Sequence, residues 1–111
     1  MQNTDTTSKG MIDAIRKAYA DYLRLMDDIE SLTNAARCFR KITGHPSQDC
    51  CIVLDTLLTR CQALQNVIIS QVTDYFEIFS TADVLNDYLY GLKGPSAYLF
   101  ALEHLTGETF G

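Results

Sequence analysis

The sequence predicts an all-α protein in which a long antiparallel helical hairpin and two short C-terminal helices form a helical bundle. Two observations favour this fold class. Apolar residues recur at steps of three and four over most of the 111 residues, which is the spacing of one helix face. Only two prolines are present, and no stretch alternates apolar and polar residues as a strand does.

The first helix of the hairpin is predicted over residues 9–43. Ser8 is a suitable N-cap, and the apolar spacing that follows is not interrupted by proline. Arg40 lies in the last turn, where a cation favours the carbonyl end of the helix dipole. Gly44 and Pro46 then end the helix and make room for a short turn.

The second helix is predicted over residues 47–79, with Ser47 as its N-cap. Eighteen of the thirty residues from 50 to 79 are apolar, which is too many for a helix with one buried face. We therefore expect this helix to be covered on more than one side. Its mostly apolar residues form two stripes: Cys51, Leu54, Leu58, Cys61, Gln65, Ile68, Val72, Tyr75 and Phe79 in the first, and Val53, Leu57, Leu64, Val67 and Ile78 in the second.

Two short helices are predicted over residues 81–92 and 96–106, separated by a glycine–proline break. They are too short to cover both faces of a hairpin about 50 Å long. We therefore expect a homodimer to complete the bundle, with a different protein partner as the second possibility. The remaining alternative is a kink in one of the long helices, which would let the chain fold back into a compact monomer. The domain is predicted to span residues 8–111, and residues 1–7 are predicted to be a disordered polar tail.

The composition excludes several classes of function. A net charge of −5 is unfavourable for binding nucleic acid, and no apolar run approaches the roughly 20 residues of a membrane span. The first ten residues contain no apolar segment, so we expect no signal peptide and a cytoplasmic location. No phosphate-binding loop or hydrolase motif occurs, so we expect no cofactor and no enzymatic activity.

The negative charge is concentrated in the second half of the sequence. Residues 1–60 sum to zero, whereas residues 61–111 hold six acidic residues and one lysine. This uneven charge predicts that the protein is an inhibitor, an adaptor or an immunity-type protein. Its acidic half would bind a basic surface on a partner protein. The residues expected to make the contact are Asp74, Glu77, Asp83, Asp87, Tyr90 and Tyr98.

Arg40 and His45 provide the first alternative. Their spacing resembles the arginine-x4-histidine signature of HEPN-type ribonucleases, which are helical domains that dimerise to pair their sites. That resemblance implies that Arg40 would steady the scissile phosphate and that His45 would act as an acid–base group. The match covers six residues, and Lys41 and Pro46 depart from the residues usual in that family.

The cysteines provide the second alternative, a metal- or redox-responsive module. Cys38 precedes the predicted turn, Cys50 and Cys51 follow it, and His45 lies within it. Cysteine and histidine side chains near one turn are potential zinc ligands, although these lack the paired spacing of a common zinc site. The other interpretation is that these thiols are reduced and structural.

Overall fold

The computed structural model describes the backbone of residues 2–110 and the side chains of residues 6–110. Its four helices are α1 (Gln2–Thr43), α2 (Gln48–Phe79), α3 (Ala82–Leu89) and α4 (Pro95–Thr106). No strand occurs within these residues. The predicted all-α class and the long hairpin at the start of the chain are therefore confirmed.

The ends of the helices differ from the prediction at five places, and two of these are the starts of α2 and α3, which lie one residue later than predicted, at Gln48 and Ala82. α1 begins at Gln2 instead of residue 9, so Ser8 is not an N-cap, and its hydroxyl oxygen lies 2.6 Å from that of Tyr75. α3 ends at Leu89 instead of residue 92, because Tyr90 adopts a left-handed conformation with φ of 54°. α4 begins one residue early, at Pro95. The single domain and the disorder of residues 1–7 stay predictions.

The turn between α1 and α2 follows the expected chemistry. Gly44 has φ of 79°, a conformation that glycine adopts without strain, and its N–H donates to the Arg40 carbonyl at 2.8 Å. Ser47 caps α2 by accepting a hydrogen bond from the Cys50 N–H at 3.2 Å. The turn is short, so α1 and α2 run antiparallel along their lengths.

The hydrophobic core lies at one end of an elongated molecule that measures 62 × 29 × 19 Å. It forms where the first half of α1 and the second half of α2 meet α3 and α4. Its buried residues are Ile12, Ile15, Ala18, Ile68, Val72, Tyr75, Phe76, Leu85, Leu89, Leu99, Ala101 and Leu102. Outside this cluster only Leu25 and Cys61 are buried among the residues with described side chains.

The segment that follows α4 contacts the first half of α1 through hydrogen bonds, an ion pair and a cation–π contact. The Arg16 guanidinium donates to the Glu108 carboxylate at 2.8 Å and to the Thr109 carbonyl. The central guanidinium carbon of Arg16, Cζ, also lies 4.8 Å from the centre of the Phe110 ring. The Phe110 N–H in turn donates to the Glu103 carboxylate at 2.8 Å. These contacts close the core at the end that is far from the hairpin turn.

We predict that the stability of the chain depends on isoleucine positions at the core end and not on those near the turn. Ile68→Ala should lower the free energy of unfolding by about 2–5 kcal/mol, because it removes a fully buried side chain. Ile52→Ala removes the same atoms from an exposed position of the same helix. It should change the free energy of unfolding by less than about 1 kcal/mol. Urea denaturation followed by circular dichroism measures both, and equal losses would contradict the one-ended core.

Candidate interaction surface on the hairpin

We define the distal half of the hairpin as residues 26–60. It consists of two helices that pack against each other and against no other helix. α3 and α4 pack on α2 and on each other, at the opposite end of the molecule. No residue of the distal half is buried. Large apolar side chains are nevertheless exposed there, namely Met26, Phe39, Ile42, Ile52, Val53 and Leu58. These side chains lie on different sides of the two helices, and no other helix covers any of them.

The contacts between α1 and α2 at the edge of the distal half show how little two helices bury on their own. The Cys61 thiol lies 3.5 Å from the Met26 sulfur, and the Gln65 amide donates to the Tyr22 hydroxyl at 3.4 Å. These residues lie on the narrow seam where the helices face each other. A helix in a two-helix hairpin covers only this seam, so residues on both of its sides remain in contact with solvent.

α3 and α4 cover only one side of α2. Phe76 is fully buried on that side, where its ring meets Tyr88 with the ring centres 6.4 Å apart. Val67 precedes Phe76 by nine residues and therefore points in about the opposite direction at roughly 100° per residue. Val67 is 44% exposed and Ile78, on the same side, is 60% exposed. The second apolar stripe predicted from the sequence is thus the side of α2 that no helix covers.

We define the open flank as the apolar residues on this uncovered side of the hairpin. Its members are Val53, Leu57, Leu64, Val67 and Ile78 on α2, and the buried Leu25 of α1 lies beside them. A groove of about 430 Å³ runs along its middle and opens widely to solvent. The groove is lined by Asp21, Arg24, Leu25, Asp28, Arg60, Ala63, Leu64 and Val67.

The rim of this groove has no net charge. It carries two aspartates and two arginines, of which only Arg24 and Asp21 form an ion pair, at 3.6 Å. Asp28 and Arg60 have no ion-pair partner in the part of the chain whose side chains are described. The groove therefore has an apolar floor and a rim with charges of both signs, which is the arrangement of an apolar centre and a polar rim found in protein interfaces.

Gln71 is a further unsatisfied group on the same side of α2. It follows Leu64 by seven residues, which is close to two helical turns, so both side chains point the same way. The Oε1 atom of Gln71 is buried and accepts no hydrogen bond from any described residue. Most buried polar atoms in native proteins do have a partner, so this acceptor is an exception among the described residues.

The acidic residues that the sequence singled out are exposed. Asp74, Glu77, Asp83 and Asp87 make no ion pair with any residue in the described part of the chain. Tyr90 is 91% exposed after the end of α3, whereas Tyr98 packs partly against the core. The aromatic rings that contact one another near α3 and α4 are Tyr88, Phe100 and His104. Tyr98 thus contributes more to packing than to an exposed patch.

Arg40 and His45 both lie exposed at the hairpin turn. The Arg40 carbonyl accepts the Gly44 N–H, and the His45 N–H donates to the Thr43 hydroxyl at 3.2 Å. Neither side chain makes a hydrogen bond or an ion pair within residues 6–110, so nothing in this part of the chain orients them for catalysis.

The cysteines are not assembled into a metal site. Cys38 and Cys51 are exposed, Cys50 is half-buried and Cys61 is buried, and all four are free thiols. Over the described residues, no three side chains of histidine, cysteine, aspartate or glutamate are close enough together to hold a metal ion. The structure therefore gives no support to Cys38, His45, Cys50 and Cys51 as a ligand set.

No protein-family model, no curated protein and no solved structure matches this chain. The resemblance to HEPN-type ribonucleases consequently depends on residues 40–45 alone. None of the helices in the described range is long and apolar enough to cross a bilayer.

Sequence reasoning did not identify the groove residues Asp28 and Arg60 as a site. The second stripe of α2 was visible in the sequence, but the side on which α3 and α4 pack was not. That side depends on how the chain turns after Phe79, which no local pattern specifies. The excess of apolar residues in α2 was the one available signal for an uncovered surface.

The burial of the thiols predicts their reactivity. Cys38 and Cys51 should react with a thiol reagent at the rate of a free thiol, because both are exposed. Cys61 should react at least about tenfold more slowly, because the reagent reaches it only when the helices separate. Mass spectrometry of labelled peptides over time measures each rate, and equally fast labelling of Cys61 would contradict the packing of the hairpin seam.

Proposed function

We propose that this protein works by associating with another protein chain through the open flank and the distal half of its hairpin. The observation that carries the proposal is the state of residues 26–60, which bury no side chain and expose six large apolar ones. Removing apolar surface from water on association is favourable, and it is the dominant driving force in most protein–protein complexes.

The shape of the hairpin supports helical packing as the mode of association. Its two long helices lie side by side, so their uncovered side presents two ridges and the groove between them. One or two helices from a partner can lie along this groove and turn the hairpin into a three- or four-helix bundle. The groove is open at its surface and has an apolar floor, which favours a partner helix over a small enclosed ligand.

We propose the acidic surface of the C-terminal half as a second contact, for a basic partner. The observation that favours it is that Asp74, Glu77, Asp83 and Asp87 are exposed and unpaired within the described residues. Salt screens attraction between exposed charges, so binding through this surface would weaken as salt is added. Binding through the open flank would not weaken in this way.

The alternatives have less support. A nuclease would need Arg40 and His45 to be held in a defined arrangement, and both are exposed side chains without a partner in the described residues. A metal-responsive module would need its ligands to converge, and the described cysteines and histidines do not. A redox role for the exposed thiols Cys38 and Cys51 has no positive observation behind it.

Site-specific photo-crosslinking in the native host tests the proposed function. A photoreactive amino acid at Val53 should form a covalent adduct with a protein, because Val53 is on the open flank. The matched control is the same amino acid at Asn66, which is exposed on the same helix, lies outside the distal half and points away from the flank. We expect a several-fold higher adduct yield at position 53, and no adduct there, or equal yields at both positions, would contradict the proposal.

A further inference from the structure

We infer that the cleft between α1 and α4 is a binding site for an extended peptide segment of the pattern Glu-x-Phe. The cleft is lined by Arg16 and Tyr19 of α1 and by Leu99 and Glu103 of α4. We define the strap as residues 107–110, which occupy this cleft from within the chain and leave it when a segment of the same chemistry binds. The inference goes beyond the proposed function, because no residue of the strap or the cleft belongs to the open flank or the distal half.

The main observation is that side chains from two helices hold one peptide group of the strap. The Arg16 guanidinium of α1 donates to the Thr109 carbonyl, and the Glu103 carboxylate of α4 accepts the Phe110 N–H at 2.8 Å. That carbonyl and that N–H belong to the same peptide group and point in opposite directions, since the peptide is trans. α1 and α4 therefore bind it from both sides. Main-chain hydrogen bonds of this kind supply the affinity when proteins bind extended peptides.

The side chains before and after this peptide group are recognised separately. The Glu108 carboxylate accepts a charge-assisted hydrogen bond from Arg16 at 2.8 Å. The Phe110 ring lies 4.8 Å from the Cζ atom of the same guanidinium, and with Tyr19 and Leu99 it lines a cavity of about 150 Å³. The cleft thus takes a carboxylate at one position and an aromatic ring two positions later, which is the pattern Glu-x-Phe.

The walls of the cleft do not depend on the strap. Among the described residues, α4 packs on α2 and α3, and its backbone does not come close to that of α1. α1 is held in place by α2, so both walls are positioned by other helices. Two further cavities, of about 310 and 290 Å³, border Glu108, so the strap fills the available space only in part.

The attachment of the strap permits its release. Gly107 joins the strap to α4 with φ of 76°, in a region where glycine moves without strain. The side chains of Arg16 and Glu108 are 40% and 49% exposed, and exposed ion pairs add little stability. The strap nevertheless stays close to the cleft because it is tethered, so a free peptide competes with a high effective concentration.

An NMR titration with a synthetic peptide tests the inference. The probe is the capped pentapeptide Thr-Gly-Glu-Thr-Phe, which has the sequence of residues 106–110. The double variant Glu108→Ala/Phe110→Ala weakens the strap and keeps the walls of the cleft. It should bind the probe at least about tenfold more tightly than the wild type, because the strap occupies the wild-type cleft. The shifted amide signals should lie in α1 and α4.

Matched controls examine the chemistry of the cleft. The capped pentapeptide Thr-Gly-Phe-Thr-Glu has the same composition with the acidic and aromatic residues exchanged, and it should bind the double variant at least about tenfold more weakly than the probe. Arg16→Gln added to the double variant should also lower the affinity for the probe at least about tenfold. Lys17→Gln removes the same charge from an exposed neighbouring position that points elsewhere, and it should change the affinity less than about twofold.

Each outcome supports or overturns the inference. A double variant with wild-type circular dichroism that does not bind the probe overturns the site, and equal binding of the exchanged peptide overturns the Glu-x-Phe pattern. Equal affinities of the double variant and the wild type overturn the strap as its occupant. If the double variant does not fold, Glu108→Ala alone takes its place and should bind the probe about threefold more tightly than the wild type. Crosslinking at Val53 does not involve the cleft, so the proposed function stands or fails separately.

Discussion

The packing of Phe76 against α3 determines most of this structure. Its ring is fully buried beside Tyr88, and it fixes α3 and then α4 on one side of α2. The core therefore forms where four helices meet, at the end of the hairpin that is far from the turn. Because α3 and α4 both pack on this side, the opposite side of α2 and the whole distal half have no cover.

The sequence was sufficient to predict the helices and insufficient to predict their packing. Local signals such as the Ser47 cap and the left-handed Gly44 act within one turn, and both are present as expected. Ser8 was predicted as a cap and instead meets Tyr75, which lies 67 residues away. The groove between Arg60 and Asp28 depends in the same way on tertiary contacts. An apolar stripe shows that a side needs cover, but it does not show which element supplies it.

The two halves of the molecule differ in physical character, and this difference suggests a division of roles. The core end is closed by α3, α4 and the contacts of Arg16, so its apolar side chains are buried within a single chain. The distal half has few buried contacts and is expected to open locally at a low cost in free energy. Association would add the missing contacts there. In this view the core end holds the hairpin in shape, and the distal half and its flank perform the binding.

Hydrogen–deuterium exchange at low and high protein concentration tests this division most directly. If the homodimer expected from the sequence forms, the amides of residues 50–60 gain protection as the concentration rises, because opening of α2 then requires dissociation. The amides around Phe76 are already buried within one chain and should exchange at the same rate throughout. Exchange of residues 50–60 that is fast at every concentration would contradict completion of the hairpin by self-association, and slow exchange at low concentration would contradict an unsupported distal half.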